Sequence, residues 1–285
     1  LSYQKHFTLI FTSLIFQLLF IHFAHAETPA QRIITLAPHL TEMVYSAGAG
    51  EKLVGVVNYS DYPAEAKSKP IVGSYNAINI ERIVELKPDL VLSWRSGNRL
   101  QDYQRLEQLQ QKLGFRLIES EINTLDDIPA LIRQIGILAG SATKANAEAH
   151  ELQTQLTQLR QQFATAKPVT VFYQIWNNPL ITMGKNQFIS QGIELCGGRN
   201  IFEDLGSLTG QVAVETVLIR DPEVILLGGT RAMQQDWLQT WQAFGTLQAV
   251  QNNTIFLLNN DLYQRSSARF IRALPALCAQ IGQAR

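Results

Sequence analysis

The chain is short of the residues from which most active sites are built. It carries two cysteines and five histidines among 285 residues. His6, His22 and His25 fall at the very start, which leaves His39 and His150 for the rest of the chain. Neither has an H-x-x-x-H partner or a cysteine cluster, so the ligand spacing of a zinc or manganese site is missing. A G-x-S-x-G nucleophile elbow is missing too. Charge of one sign is absent: 24 Lys and Arg face 24 Asp and Glu. That removes the basic footprint expected of a nucleic-acid binder. "GAGEKLVG" (48–55) is glycine-rich, but it follows a predicted helix and precedes a strand. A phosphate-cradling loop needs the reverse order.

Long apolar runs are confined to the beginning. Lys5 precedes "FTLIFTSLIFQLLFIHFA" (7–24), and "AHA" (24–26) closes it. A basic residue, an apolar stretch and a small-residue site make a cleavable export signal over residues 1–26. A membrane anchor is the competing reading, and the Ser, Thr, Gln and His within the run weigh against it. No cysteine follows, so no lipid anchor is expected there. Export would carry the mature chain, from Glu27, to an oxidising compartment. There an even pair of cysteines, Cys196 and Cys278, is expected to form a disulfide.

What remains alternates strand-like and helix-like segments. "RIITLA" (32–37), "KLVGVV" (52–57) and "LVLSW" (90–94) read as strands, with "HLTEMVYSAGAG" (39–50) and "NIERIVELKPD" (79–89) as helices. The second half continues with a strand "VTVFYQIW" (169–176) and a helix "SQGIELCGGRNIFED" (190–204). "IERIVELKPDLVLS" (80–93) matches "VETVLIRDPEVILLGG" (214–229) in order: a glutamate opening a helix, a basic or acidic residue before proline, then an apolar strand. Such self-similarity predicts two like lobes, 27–140 and 168–285, with mostly parallel sheets. Between them, "SATKANAEAHELQTQLTQLRQQFATAK" (141–167) has no Gly or Pro. Leu152, Leu156, Leu159 and Phe163 lie on one helical face, and Ser141 is the expected N-cap. A helix of roughly 25 residues would extend about 38 Å. It would be a strut, not a hinge.

Aromatic residues gather at the predicted strand ends. Tyr59 stands in "NYSDYP" (58–63), Tyr75 follows "KPIVG", Trp94 precedes "RSGN", Trp176 precedes "NNP", and Tyr263 stands in "NDLYQR" (260–265). Ligands of open α/β sheets bind beyond the carboxyl ends of strands. Any one of these rings could instead plug the core. Trp237 and Trp241, four apart on one helical face, read as packing. His150 reads as solvated, and His39, after Pro38 at a strand end, as a core or a cleft residue. Asp61 and Asp261 could also face each other as the carboxylate pair of a hydrolase.

The ordered set "RIITLAP", "YSDYP", "NIERIVELKPDLVLSWRSGN", "CGGRNIF" and "NNDLYQRSSAR" resembles the periplasmic substrate-binding proteins of ABC importers, and among them the cobalamin-binding branch. The resemblance implies an α/β protein of two lobes joined by one long helix, with a ligand cleft between them, no catalysis and no cofactor. Cobalamin would be cargo, lined by Tyr59 from the first lobe and by Asp261, Leu262, Tyr263, Gln264 and Arg265 from the second. Tyr75, Trp94 and Trp176 would complete the aromatic lining. Arg265 would either bond the corrin amides or be held by Asp261. Glu81 and Glu215, which as bare residues simply favour a helix N-terminus, would meet the permease dimer of the inner membrane. The cysteines match the family's bridge. Leu262 and Thr209 stand where tryptophan is expected of close relatives, and Tyr75 replaces another. A ferric siderophore or haem on the same scaffold is the alternative cargo.

Overall fold

The structure is a computed structural model that describes residues 28–285. The proposed export signal lies outside the described residues. The first lobe is built on a parallel sheet with strands in the order Leu53–Gly55, Ile33–Thr35, Leu90–Trp94 and Arg116–Ser120. The second is built on a mixed sheet centred on Val169–Trp176. Gly198–Asn200, Val224–Leu227 and Ile255–Leu257 lie parallel to it, Ile181–Met183 pairs with it antiparallel, and Thr209–Gln211 pairs antiparallel with Ile181–Met183 at the edge. The predicted glycine exit of the helix near Cys196 therefore leads directly into a short strand, because the helix proper is only Phe188–Leu195.

The internal match corresponds to a repeated structural unit. Helix Ile80–Glu85 leads into strand Leu90–Trp94, and helix Val214–Arg220 leads into strand Val224–Leu227. Each helix ends on a pre-proline residue with a left-handed backbone, Lys87 (φ 46) and Asp221 (φ 41). The carboxylate just beyond each proline then ties the unit to the first strand of its own lobe. Asp89 accepts the backbone N–H groups of Gln31 and Arg32 at 2.7 and 2.9 Å, and Glu223 accepts that of Thr170 at 2.7 Å. The two strands in each pair are thereby held in register by a side chain as well as by the ladder.

The connecting helix runs from Ala142 to Phe163, 22 residues, or about 33 Å. It buries Ala145, Ala149, Leu152, Leu156 and Leu159 along one side. Ser141 does not cap it. Its hydroxyl donates instead to the carbonyl of Ala47 at 2.7 Å, pinning the strut to the first lobe. The C-terminal helix, Ala268–Gly282, lies against the strut: Gln155 Nε2 donates to Ile271 O at 2.8 Å, and Arg272 pairs with Glu148 at 2.8 Å. One apolar cluster runs from Ile33 and Leu40 of the first lobe through Leu152 and Leu156 to Tyr173 and Phe270 of the second. Burial on that scale is the main stabilising term, and here it is continuous across the lobes. Cys196 and Cys278 are bridged, with Cα atoms 4.7 Å apart.

Candidate functional site

The loop "NYSDYP" is anchored at its centre. Thr35, Thr41 and Ser60 form a buried hydroxyl chain, with Oγ1–Oγ1 at 2.7 Å and Thr41 Oγ1 to Ser60 Oγ at 3.0 Å. With Ser60 held inside, its neighbours project outward. Tyr59, at φ 66, is 75% exposed, and Tyr62 is half-exposed. A ring of this size left in water offers a face to a partner.

The first lobe's second aromatic group is held by Asn98. Its Oδ1 accepts from Trp94 N at 2.7 Å, and its Nδ2 donates to Leu36 O and Tyr75 O at 2.9 and 2.6 Å. One side chain thus sets the positions of Trp94 and Tyr75, whose rings lie 6.0 Å apart. Trp94 also sits edge-on to His39, with centroids 5.1 Å apart. Its indole covers Gly97 so closely that a Cβ there would lie 1.9 Å from Cε3. Gly97→Ala is accordingly expected to displace the indole and cost about 2 kcal/mol by overpacking. Near-ultraviolet circular dichroism and urea unfolding would report the two effects.

His39 is a core residue: it is 6% exposed, and its Nε2 has no partner. Burial, with the positive charge of Arg265 as a second cause, lowers its pKa to about 4. His150 is exposed on the strut.

On the second lobe, Trp176 is 47% exposed at its strand end, with Nε1 donating to Asn178 O at 3.1 Å. Trp237 and Trp241 are buried, as their spacing implies. Trp241 Nε1 donates to Gln174 Oε1 at 2.6 Å, supporting the strand that presents Trp176. The segment 259–265 opens with Asn259, whose side chain accepts from Asp261 N at 3.0 Å and starts the short helix Asn260–Tyr263. Asp261 is exposed, and Leu262 and Gln264 are half-buried. Tyr263 is placed differently from the cleft-lining position expected of it. It is 5% exposed, its ring belongs to the core, and its hydroxyl donates to Ala273 O at 3.1 Å. Burial pushes its pKa up to about 12. Tyr263 anchors the segment from beneath. Beside Asp261, a concavity of about 690 Å³ is lined chiefly by Thr230, Arg231, Gln234, Asn259 and Asn260.

Arg265 is the point where the lobes meet. Its guanidinium pairs with Asp61 at 2.7 Å, Glu42 at 3.0 Å and Asp261 at 3.2 Å. Partial burial opposes ionisation of Asp61, but the hydrogen bond to Arg265 and its charge outweigh that and hold the carboxyl below its ordinary range. Asp61 and Asp261 therefore converge on one cation. A hydrolytic pair would need one carboxyl kept protonated, and Arg265 holds Asp61 in the opposite state. Arg269 closes the stretch "NNDLYQRSSAR" without being assigned a role there, and Glu42 is assigned none either. Glu81 and Glu215 stand exposed in the first turns of the two equivalent helices.

Two aromatic-edged lobes joined by a rigid strut define a two-lobed ligand-binding fold. Residues 33–262 match the periplasmic binding proteins, and the chain belongs to that family, which places it in the periplasm. It is 38% identical over 253 residues to a vitamin B12-binding protein of Vibrio cholerae, covering 89% of this chain and 90% of that one. The crystal structure of the periplasmic vitamin B12 binding protein BtuF of Vibrio cholerae superposes with a TM-score of 0.82 at 38% identity, over 90% of this chain and 98% of that one. A periplasmic heme-binding protein of Roseiflexus sp. RS-1 shares the fold, with a TM-score of 0.77 at 22% identity over 90% of this chain and 100% of that one.

Proposed function

We propose that the protein captures a corrinoid, vitamin B12, between lobes 27–140 and 168–285 and presents it to an ABC transporter permease for import. The observation that carries this choice of cargo is the 38% identity, over most of both chains, to vitamin B12-binding proteins, and part of the cleft's charge pattern agrees with it. Two arginines near strand ends are already ion-paired, Arg265 with three carboxylates and Arg95 with Glu119 at 2.6 Å, whereas Arg231, just past strand Val224–Leu227, stands exposed at the concavity beside Asp261. Ferric siderophores and haem often carry anionic groups that call for unspent cations. Cobalamin is a broad apolar macrocycle fringed with neutral amides. Exposed rings suit its face, and ion-paired carboxylates and guanidinium edges suit its amides. The names borne by relatives of high coverage support the same cargo.

Tyr59, Tyr75, Trp94 and Trp176 would contribute the aromatic contacts, and Asp261, Leu262, Gln264 and Arg265 the edge. Leu262 in place of an aromatic would narrow the stacking area on that side. Glu81 and Glu215, one per lobe on pseudo-equivalent helices, would dock on a two-fold permease. Exposed charges of this kind set register and association rate more than affinity. The free protein would be a monomer with helix 141–167 as its strut.

Titration of the mature chain with cyanocobalamin by calorimetry tests this. One-to-one binding is expected, weakened about tenfold or more in Tyr59→Ala, as for an exposed aromatic anchor. No heat at micromolar protein would remove the corrinoid and leave hemin and ferric siderophores to be titrated instead.

A further inference from the structure

Glu42 lies on the first lobe's helix Pro38–Ser46 and is 3% exposed. A carboxylate so buried is tolerated only with strong compensation. Among the described residues, its hydrogen-bond donors all come from the opposite lobe. Ser267 Oγ donates at 2.6 Å, Arg269 Nε at 2.9 Å and Arg265 Nη1 at 3.0 Å, with Arg269 Nη2 as a further donor. These donors lie within five consecutive residues, more than 220 positions away along the chain (|i−j| 223 to 227). The loop "NYSDYP" reinforces the same junction. Asp61 takes the same Arg265 nitrogen at 2.7 Å, and the Tyr62 ring lies 3.8 Å beneath the Arg269 guanidinium.

The strut joins the lobes covalently at one place, and this cluster joins them non-covalently at another. The continuous apolar core and the hydrogen bonds of Gln191, which accepts from Leu125 N and donates to Asn123 O, also tie the lobes. The charged cluster adds a directional attachment at the cleft side that restricts their angle further. The cluster also holds Arg265 before any ligand arrives, with two carboxylates on one of its nitrogens. Ordering a long side chain ahead of binding removes that cost from the binding step.

We propose that Glu42 is a positioning residue for ligand capture: a buried carboxylate that latches the second lobe through Arg265, Ser267 and Arg269, and so sets both the interlobe angle and the pose of Arg265. The capture role rests on the corrinoid reading above, whereas the latch does not. Removing one partner of a buried, hydrogen-bonded charge cluster leaves the remaining charges uncompensated, so the neutral isostere Glu42→Gln is the informative change.

The test is made on the full mature chain with its native disulfide. Nitroxide labels at Gln104→Cys and Gln239→Cys, exposed sites on opposite lobes, report the interlobe distance by double electron–electron resonance. A narrow distribution is expected without ligand. Glu42→Gln should broaden it visibly and weaken cyanocobalamin binding by about tenfold. Asp61→Asn, at the exposed rim, should produce a smaller change of the same kind. Melting curves establish that each variant is folded. An unchanged width in folded Glu42→Gln overturns the latch. Broadening with unchanged affinity overturns the positioning role. Should Glu42→Gln fail to fold, Asp61→Asn decides alone, and wild-type width and affinity there overturn the proposal. Should the unmodified protein not bind cyanocobalamin at all, the corrinoid reading fails, and the ligand-free width still judges the latch.

Discussion

Breaking the Cys196–Cys278 bridge is expected to lower the free energy of unfolding by about 4 kcal/mol, a large share of a domain's net stability. The two cysteines are 82 residues apart. Cross-linking a loop of that length removes much of the unfolded chain's freedom, and the stabilisation grows with the logarithm of the loop. The bridge joins the end of helix Phe188–Leu195 to the C-terminal helix Ala268–Gly282. That second helix also carries Arg269, which reaches Glu42 of the first lobe, and Arg272, which reaches Glu148 of the strut. Loss of the bridge therefore reaches the cleft as well as the second lobe. Urea unfolding of the oxidised chain, the reduced chain and the Cys196→Ser/Cys278→Ser pair measures the effect. A fall below about 1 kcal/mol would mean that the reduced unfolded chain is already constrained, contrary to the loop-entropy account.

Acid should destabilise the protein in a window set by His39. The unfolded chain takes up a proton on this side chain near pH 6.5, but the folded protein resists it until about pH 4, because burial and Arg265 disfavour the imidazolium. The unfolded state therefore binds more protons throughout that interval. The contribution is fully present above pH 6.5 and is lost as pH falls towards 4, in total about 3 kcal/mol. Asp61 behaves separately. Its depressed pKa contributes stability that disappears only below its ordinary value of 3.8. Unfolding measured at pH 7.5, 5.5 and 4 should show the first loss in the parent protein. In His39→Phe, which can keep an edge contact with Trp94, the curve should be flatter between pH 6.5 and 4. An equal slope in both would assign the loss elsewhere. The position of His39 makes this relevant to the cleft, since its ring meets Trp94 and its charge state feels Arg265.

The lobes, the strut and the repeat were legible as local pattern. Strand and helix periodicities, a proline after a charged residue and the absence of Gly or Pro over residues 141–167 each act through near neighbours in the chain. The matched units at 80–93 and 214–229 carry their own stop signals, so they formed the same turn twice. Exposure of Tyr59 was legible on the same grounds, as a tyrosine on a short loop where a buried run ends.

Tyr263 shows where that reading stopped. Its place near a strand end was evident, but the side it would face was not. Asn259 starts a short helix at 260, and the last residue of its single turn comes round to the core. Ser141 stopped short in the same way: a competing carbonyl from Ala47, distant in sequence, took the hydroxyl that local rules assign to the helix end.

The junction at Arg265 was beyond any local rule. Asp261, four residues away, was the foreseeable partner, and it is the longest of the three pairings. Glu42 sits in an unremarkable helix as one carboxylate among 24 acidic residues. Its value arises only when the folding of both lobes removes water from around it and supplies four donors to replace that water. Periodicity and turn chemistry depend on bonds and neighbours that the chain carries with it in any conformation. Ion pairing of a buried group depends on which surfaces come together and how dry they become, and those quantities exist only once the two lobes have packed.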